Sequence, residues 1–183
     1  ALAAAATKRT FFSASSASRV WVLSPAPSGV DRGSEPSSVR VAGDAAVKAL
    51  SWSSSHYVDA DHINMGNVAG FLDSSDFFTI DVADAIGTPA DSADLESFIN
   101  SVPELIGSLS IDGISEPLEL TRESIASTAN QYLKAVQLAG EIYRYIVSKN
   151  GEGNFITEVS MDETDSPQTP PELLVILAAI AKE

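Results

Sequence analysis

Tyr57-Val58-Asp59-Ala60-Asp61-His62 is a short apolar run that ends in two carboxylates and an imidazole. A buried parallel strand looks like this when its C-terminal end opens into an active site. The form returns in Phe77-Phe78-Thr79-Ile80-Asp81-Val82-Ala83-Asp84 and in Phe155-Ile156-Thr157-Glu158-Val159-Ser160-Met161-Asp162-Glu163. Three strand-like segments therefore carry acids. A lone buried charge is very costly, so such acids need a partner. A metal, a sugar or a basic group is the expected compensation.

Helical patterns lie between these strands. Val68, Phe71 and Leu72 predict a helix over 64–72, and Leu95, Phe98, Ile99 and Val102 predict one over 94–105. Residues 107–118 place Ile111, Ile114 and Leu118 among Gly and Pro, a small excursion. The longest helix spans 121–148, with Thr121 as N-cap and Glu123 at the positive end of the helix dipole. Its apolar stripe runs from Ile125 through Tyr132, Val136 and Ile142 to Ile146, and Asn150-Gly151 ends it. Thr169-Pro170-Pro171-Glu172 opens the last helix, with Thr169 as N-cap, Pro170 at the first position and Glu172 closing a capping box. Strand alternating with helix means α/β architecture built from parallel βα units. The chain stops at Glu183, directly after a helix, where another strand is expected. The units are read as part of a TIM-like (β/α) barrel that this chain leaves incomplete. The isolated chain is then expected to be inactive. It should expose strand edges and self-associate, which makes a homo-oligomer one expected state.

Residues 1–55 differ in composition, and 56–183 form the βα-repeat segment. Ser, Ala, Pro and Gly dominate from Ser13 to Gly43. Val20-Trp21-Val22-Leu23 is a candidate strand, closed by Ser24-Pro25. A loop over 25–36 and a short helix over 45–50, capped by Asp44, complete the reading. Ala1 to Ala6 precede Lys8 and Arg9, the reverse of the order in a signal peptide. No export signal is read, and a cytoplasmic location is expected. With no cysteine, thiolate ligands and a Cys nucleophile are excluded. A net charge of −14 argues against nucleic acid and anionic membranes as partners. No apolar run spans a bilayer.

Asp61-His62 heads the candidates for chemistry. An imidazole at a strand mouth suits a divalent metal, and a neighbouring carboxylate can act as base. Adjacent strand residues point to opposite faces, so these two converge only where the strand gives way to a loop. The bland reading is an Asp capping the next helix beside a surface His. Glu158, inside an apolar strand, belongs on the barrel interior near the catalytic end, or else pairs with a Lys or Arg. Asp162 and Glu163 follow that strand and are second candidates. Asp59 and Asp81 are read as caps or hydrogen-bond supports, and His56 as ordinary surface at the opposite strand end. No phosphate loop, dinucleotide fingerprint or nucleophile elbow is present.

At these same residues the chain resembles the tagaturonate/fructuronate epimerase family of hexuronate catabolism. The resemblance rests on Val58-Asp59-Ala60-Asp61-His62, Phe78-Thr79-Ile80-Asp81, and Glu158-Val159-Ser160-Met161-Asp162-Glu163-Thr164 with Pro167 and Pro170. It covers about residues 56–183. It implies a barrel-type fold, a divalent metal cation, and C4 epimerisation between D-tagaturonate and D-fructuronate. Carried over by position, Asp61 is the proton acceptor, Glu158 the proton donor and His62 a metal ligand, with further ligands beyond Glu183. A retro-aldol route would use the same groups. Inverting a carbon needs an acid and a base on opposite faces of one small sugar acid, so the Asp61 and Glu158 carboxyls should lie within about 10 Å. Another metal-dependent barrel sugar isomerase or aldolase, and a non-catalytic α/β domain with structural acids, remain alternatives.

Overall fold

The structure is a computed structural model that describes the backbone of residues 20–25 and the whole of residues 35–161 and 167–183. Its centre is a four-stranded parallel sheet of β1 (Val20–Pro25), β2 (His56–Ile63), β3 (Phe77–Asp81) and β6 (Ile156–Ser160). The strands follow one another in space in chain order. All three pairings are parallel, so every strand ends on the same side of the sheet. Between β3 and β6 come α2 (Ser92–Ser101), a two-stranded antiparallel hairpin of β4 (Gly107–Leu109) and β5 (Leu118–Leu120), and α3 (Arg122–Asn150). The helix α1 (Pro36–Ala49) joins β1 to β2, and α4 (Pro170–Ile180) follows β6.

The parallel α/β expectation holds. The sheet, however, is open among the described residues, and a closed barrel is not formed. β1 pairs with β2 from Val20 opposite His56 to Pro25 opposite Asp61, so the earlier Ser- and Pro-rich stretch supplies one strand of the central sheet.

Alternation along the strands sorts their side chains onto two faces. Ala60, Ile63, Phe78 and Ile80 are buried against Ala135, Ala139, Ile142 and Ile146 of α3. A second core joins the N-terminal half of α3 to α2, the hairpin and α4 through Ile125, Tyr132, Phe98, Leu118 and Val175. Burying a large aliphatic side chain is worth about 1.5–3 kcal/mol, so the first core holds α3 on the sheet and the second ties α2, the hairpin and α4 to α3. The caps fit the reading of the sequence. Thr121 and Ser124 cap the start of α3 reciprocally, Gly151 ends it at φ +80, and Thr169 and Glu172 form the box at α4. Gly151 is suited to a positive φ that costs a residue with Cβ.

Local chemistry overrides three expectations. The helix over 64–72 is only a 3-10 turn, Val68–Gly70. Asn67 accepts from the Asn64 backbone N–H at 2.7 Å and Asn64 from that of Gly66 at 2.9 Å, so side chains compete with the helical pattern. The helix read over 94–105 stops at Ser101, because Pro103 disfavours helix before it and opens a 3-10 turn of its own. At the start, α1 is far longer than expected. Pro36 begins it, and Asp44 sits inside it as the i+4 partner of Arg40 instead of capping.

Arg40 also reaches Asp76 at 2.8 Å, and Asp76 accepts from the Val58 N–H at 2.7 Å. This network ties α1 to the N-terminal ends of β2 and β3, where His56 lies 3.5 Å from Asp44. No described helix is long and apolar enough to cross a membrane.

The α3–sheet contact is expected to dominate stability. Ile142 is fully buried, so Ile142→Ala should cost about 2–5 kcal/mol. Urea unfolding of the two proteins measures it as a lower midpoint at an unchanged slope.

Candidate active site

Opposite the face that packs on α3, the sheet carries Tyr57, Asp59, Phe77, Thr79, Asp81 and Glu158, as alternation and register require. Asp59 and Thr79 are buried, 5% and 6% exposed. The Thr79 hydroxyl donates to the Asp59 carboxyl, 3.3 Å from one oxygen and 3.2 Å from the other. Thr79 is also the register partner of Glu158 on β6. The hydrogen-bond partner of the buried acid is a hydroxyl. Burial is the first cause that pushes the Asp59 carboxyl from its ordinary 3.8 up to about 6. The Thr79 hydrogen bond opposes this, while the charges of Asp61 and Glu158 add to it. Both carboxylates therefore act on Asp59 from the same face. Glu158 is exposed and makes no ion pair with Lys or Arg among the described residues.

One layer nearer the strand ends, β2 breaks its pairing with β3. Ala60 lies opposite Phe78 and Ile63 opposite Ile80, so Asp61 and His62 together oppose Thr79 alone. This is a β-bulge. His62 absorbs it with φ +53, in the left-handed region that a residue with Cβ seldom adopts. The pair was expected to converge in a loop after the strand. It converges inside β2, because the extra residue cancels the alternation. His62 turns to the acid face, where Nδ1 lies 3.1 Å from Asp81 Oδ2 and Nε2 lies 3.8 Å from Asp61 Oδ1. Ile63 returns to the core and is fully buried. Asp81, the last residue of β3, is the hydrogen-bonding support it was expected to be. Its second oxygen accepts from the Ala83 N–H at 3.0 Å and pins the turn after the strand.

One face of the sheet therefore carries Asp59, Asp61, His62, Asp81 and Glu158: Asp61, His62 and Asp81 toward the C-terminal strand ends, Glu158 at the middle of β6 and not at the strand end expected for it, and Asp59 opposite Phe77 at the start of β3. Asp162 and Glu163 lie outside the described residues. His56 starts β2 and is far along the strand from this group, as expected. Thr79 is the residue that sequence reasoning passed over. Its signal was a hydroxyl in an otherwise apolar strand, one register step from two acids. Among the described residues, no group of three or more His, Asp or Glu is placed to hold a metal ion. The donor set thus falls short of a metal site on its own.

Fold and site together define an α/β protein with one acid-bearing sheet face and an imidazole toward the C-terminal end of β2. Two solved structures of the fructuronate-tagaturonate epimerase UxaE from Cohnella laeviribosi, one native and one complexed with glycerol, share the fold. Each superposes with a TM-score of 0.55 at 20% identity, over 79% of this chain. The chain spans 32% of that epimerase's length. At this identity the likeness is one of fold. No family model and no curated protein matches the chain.

Two outcomes follow from this geometry. Asp59 holds its proton more tightly folded than unfolded. Its contribution to stability is full below about pH 4 and is lost as pH rises through about 6. Asp59→Asn should therefore raise the unfolding free energy measured in urea at pH 8 by at most about 3 kcal/mol, and the gain should vanish below pH 4. The bulge gives the second. His62→Gly and His62→Ala lose the same ring, but only Ala keeps the strained φ. The Gly variant should be more stable than the Ala variant by about 1 kcal/mol in the same assay.

Proposed function

We propose that this chain carries the acid–base part of a sugar-acid epimerase that interconverts D-tagaturonate and D-fructuronate at C4. The observation that supports this most is the common face of Asp61 and Glu158. They stand on the two strands that flank β3, level with its middle residue Thr79, which lies between them. A substrate carbon held over Thr79 would have a carboxyl on either side. Asp61 would remove the C4 proton and Glu158 would return one to the other face. Proton transfer by a placed side chain contributes about 10²–10⁴-fold to a rate. The fold shared with the epimerase agrees with this reading and does not by itself assign the activity.

Asp81 holds the His62 ring at Nδ1 and sets how the imidazole faces the site. In this reading His62 would be one ligand of a divalent cation, whose further ligands lie outside the described residues. Such a cation would stabilise negative charge on the substrate oxygen as a Lewis acid. The acid face has no cation of its own among the described residues, so an anionic uronate needs positive charge brought to it. A cytoplasmic enzyme of small sugar acids, able to self-associate, is the setting in which we place the chain.

The test is deuterium transfer. In the longest protein that carries this chain, incubated in D2O with D-tagaturonate and a divalent cation, deuterium should enter C4 as D-fructuronate forms. Asp61→Asn and Glu158→Gln should each slow the interconversion by at least about 10²-fold while circular dichroism stays unchanged. Full activity in both variants would remove these carboxyls from the chemistry.

A further inference from the structure

A cleft of about 230 Å³ opens in the helix layer where the N-terminal turns of α3 and α4 meet β5. None of the acid-face residues borders it. Thr128 lines the cleft and is only 7% exposed. Its hydroxyl makes no hydrogen bond among the described residues, not even to the carbonyl four residues back that a helical threonine commonly takes. The hydroxyl is not sealed off either: among the described residues the unpartnered side-chain oxygen shut away from solvent is that of Ser75. Thr128 therefore meets its surroundings through the cleft. A buried hydroxyl without a partner costs stability, and valine would fill nearly the same space without that cost. Stability alone does not account for a threonine here.

The chemistry of the walls selects the ligand. Glu119 and Glu172 border the cleft, and no Lys or Arg does. Glu119 Oε1 accepts from the Ser108 hydroxyl at 2.5 Å. Glu172 Oε2 accepts from the Thr169 N–H and hydroxyl, both at 2.7 Å, and these bonds hold its carboxyl below the ordinary range. The second oxygen of each carboxylate has no hydrogen-bond donor among the described residues. Two helix N-termini would ordinarily favour an anion. Here α4 opens with Pro170 and Pro171, which have no N–H, and Thr169 takes the N–H groups of Glu172 and Leu173. At α3, Thr121 takes those of Ser124 and Ile125. Leu120 and Pro171 add an apolar wall, which suits a carbon chain and not a hydrated metal ion.

We propose that this cleft binds a primary ammonium ion on a short alkyl chain. The ammonium donates to the free oxygens of Glu119 and Glu172 and to Thr128 Oγ1, and the chain lies on Leu120 and Pro171. An ammonium has three donors and no acceptor, which matches three acceptors with no donor of their own charge nearby. The net charge of −14 draws cations toward the chain. The site is separate from the acid face and does not rest on the sugar-acid reading.

The test is a titration of the 15N-labelled chain with n-butylammonium chloride at constant ionic strength. The amide signals of Ser127, Thr128 and Glu172 should shift and saturate. n-Butanol, of similar shape without the charge, should leave them unmoved. Thr128→Val should weaken binding by about 10-fold, and Thr128→Ser, which keeps the hydroxyl, should bind as the unaltered chain does. Glu119→Gln and Glu172→Gln lose the charge, and Gln serves a capping box as Glu does, so each should weaken binding by about 10-fold with the fold intact. Equal shifts with n-butanol would make the cleft an apolar groove and overturn the proposal. Shifts that never saturate, or a Thr128→Val chain that binds as tightly as the unaltered one, would overturn it too. Should Thr128→Val fail to fold, the Glu119→Gln result decides, because Glu119 is exposed and its loss of charge leaves the core untouched.

Discussion

One extra residue in β2 organises the acid face. A regular strand would send Asp61 and His62 to opposite faces and put Ile63 out of the core. The bulge opposite Thr79 removes that conflict, with His62 at φ +53. A left-handed residue with Cβ costs on the order of 1–2 kcal/mol, and the neighbours must hold it in place. They do so from both sides. Ile63 is fully buried, and Asp81 holds the imidazole at 3.1 Å. The strain sits where Asp61, His62 and Asp81 meet, which is where bulges commonly re-aim side chains.

The second constraint is charge. Three carboxylates on adjacent strands repel one another, and one of them, Asp59, holds its proton up to about pH 6. Asp59 is the one chosen because it is the deepest, with Thr79 as its hydrogen-bond partner. Neighbouring acids with different proton affinities are what acid–base chemistry near neutral pH requires. The helix layer makes this affordable. Its two cores lie on α3, away from the polar face, so acids there displace no packing contacts between sheet and helix.

The parallel strands and the long helix were legible because their signals are local and redundant. Apolar runs bounded by turns gave β2, β3 and β6, and Thr121 as N-cap and the capping box of Thr169 and Glu172 marked the helices they open. The 64–72 segment was misread because Asn64 and Asn67 bind the backbone in ways that apolar spacing does not register. α1 was shortened because its first half is rich in Ser, although Pro36 was a usable start signal. At the site, acid positions could be read but the bulge could not. Counting from Asp61 to His62 gives no hint that the strand continues to Ile63. Only the pairing of Ile63 with Ile80 reveals the extra residue. Thr79 was missed for the same reason, since its partners sit on other strands.

The central claim is that the face bearing Asp59, Asp61, His62, Asp81 and Glu158 binds a sugar acid. Backbone amide NMR of the chain, titrated with D-tagaturonate and a divalent cation, tests it most directly. The account predicts shifts confined to the acid face of β2, β3 and β6, centred on Asp61, His62, Thr79 and Glu158. Shifts centred instead on α1, on the β4–β5 hairpin or on α4, with those residues unmoved, would contradict it.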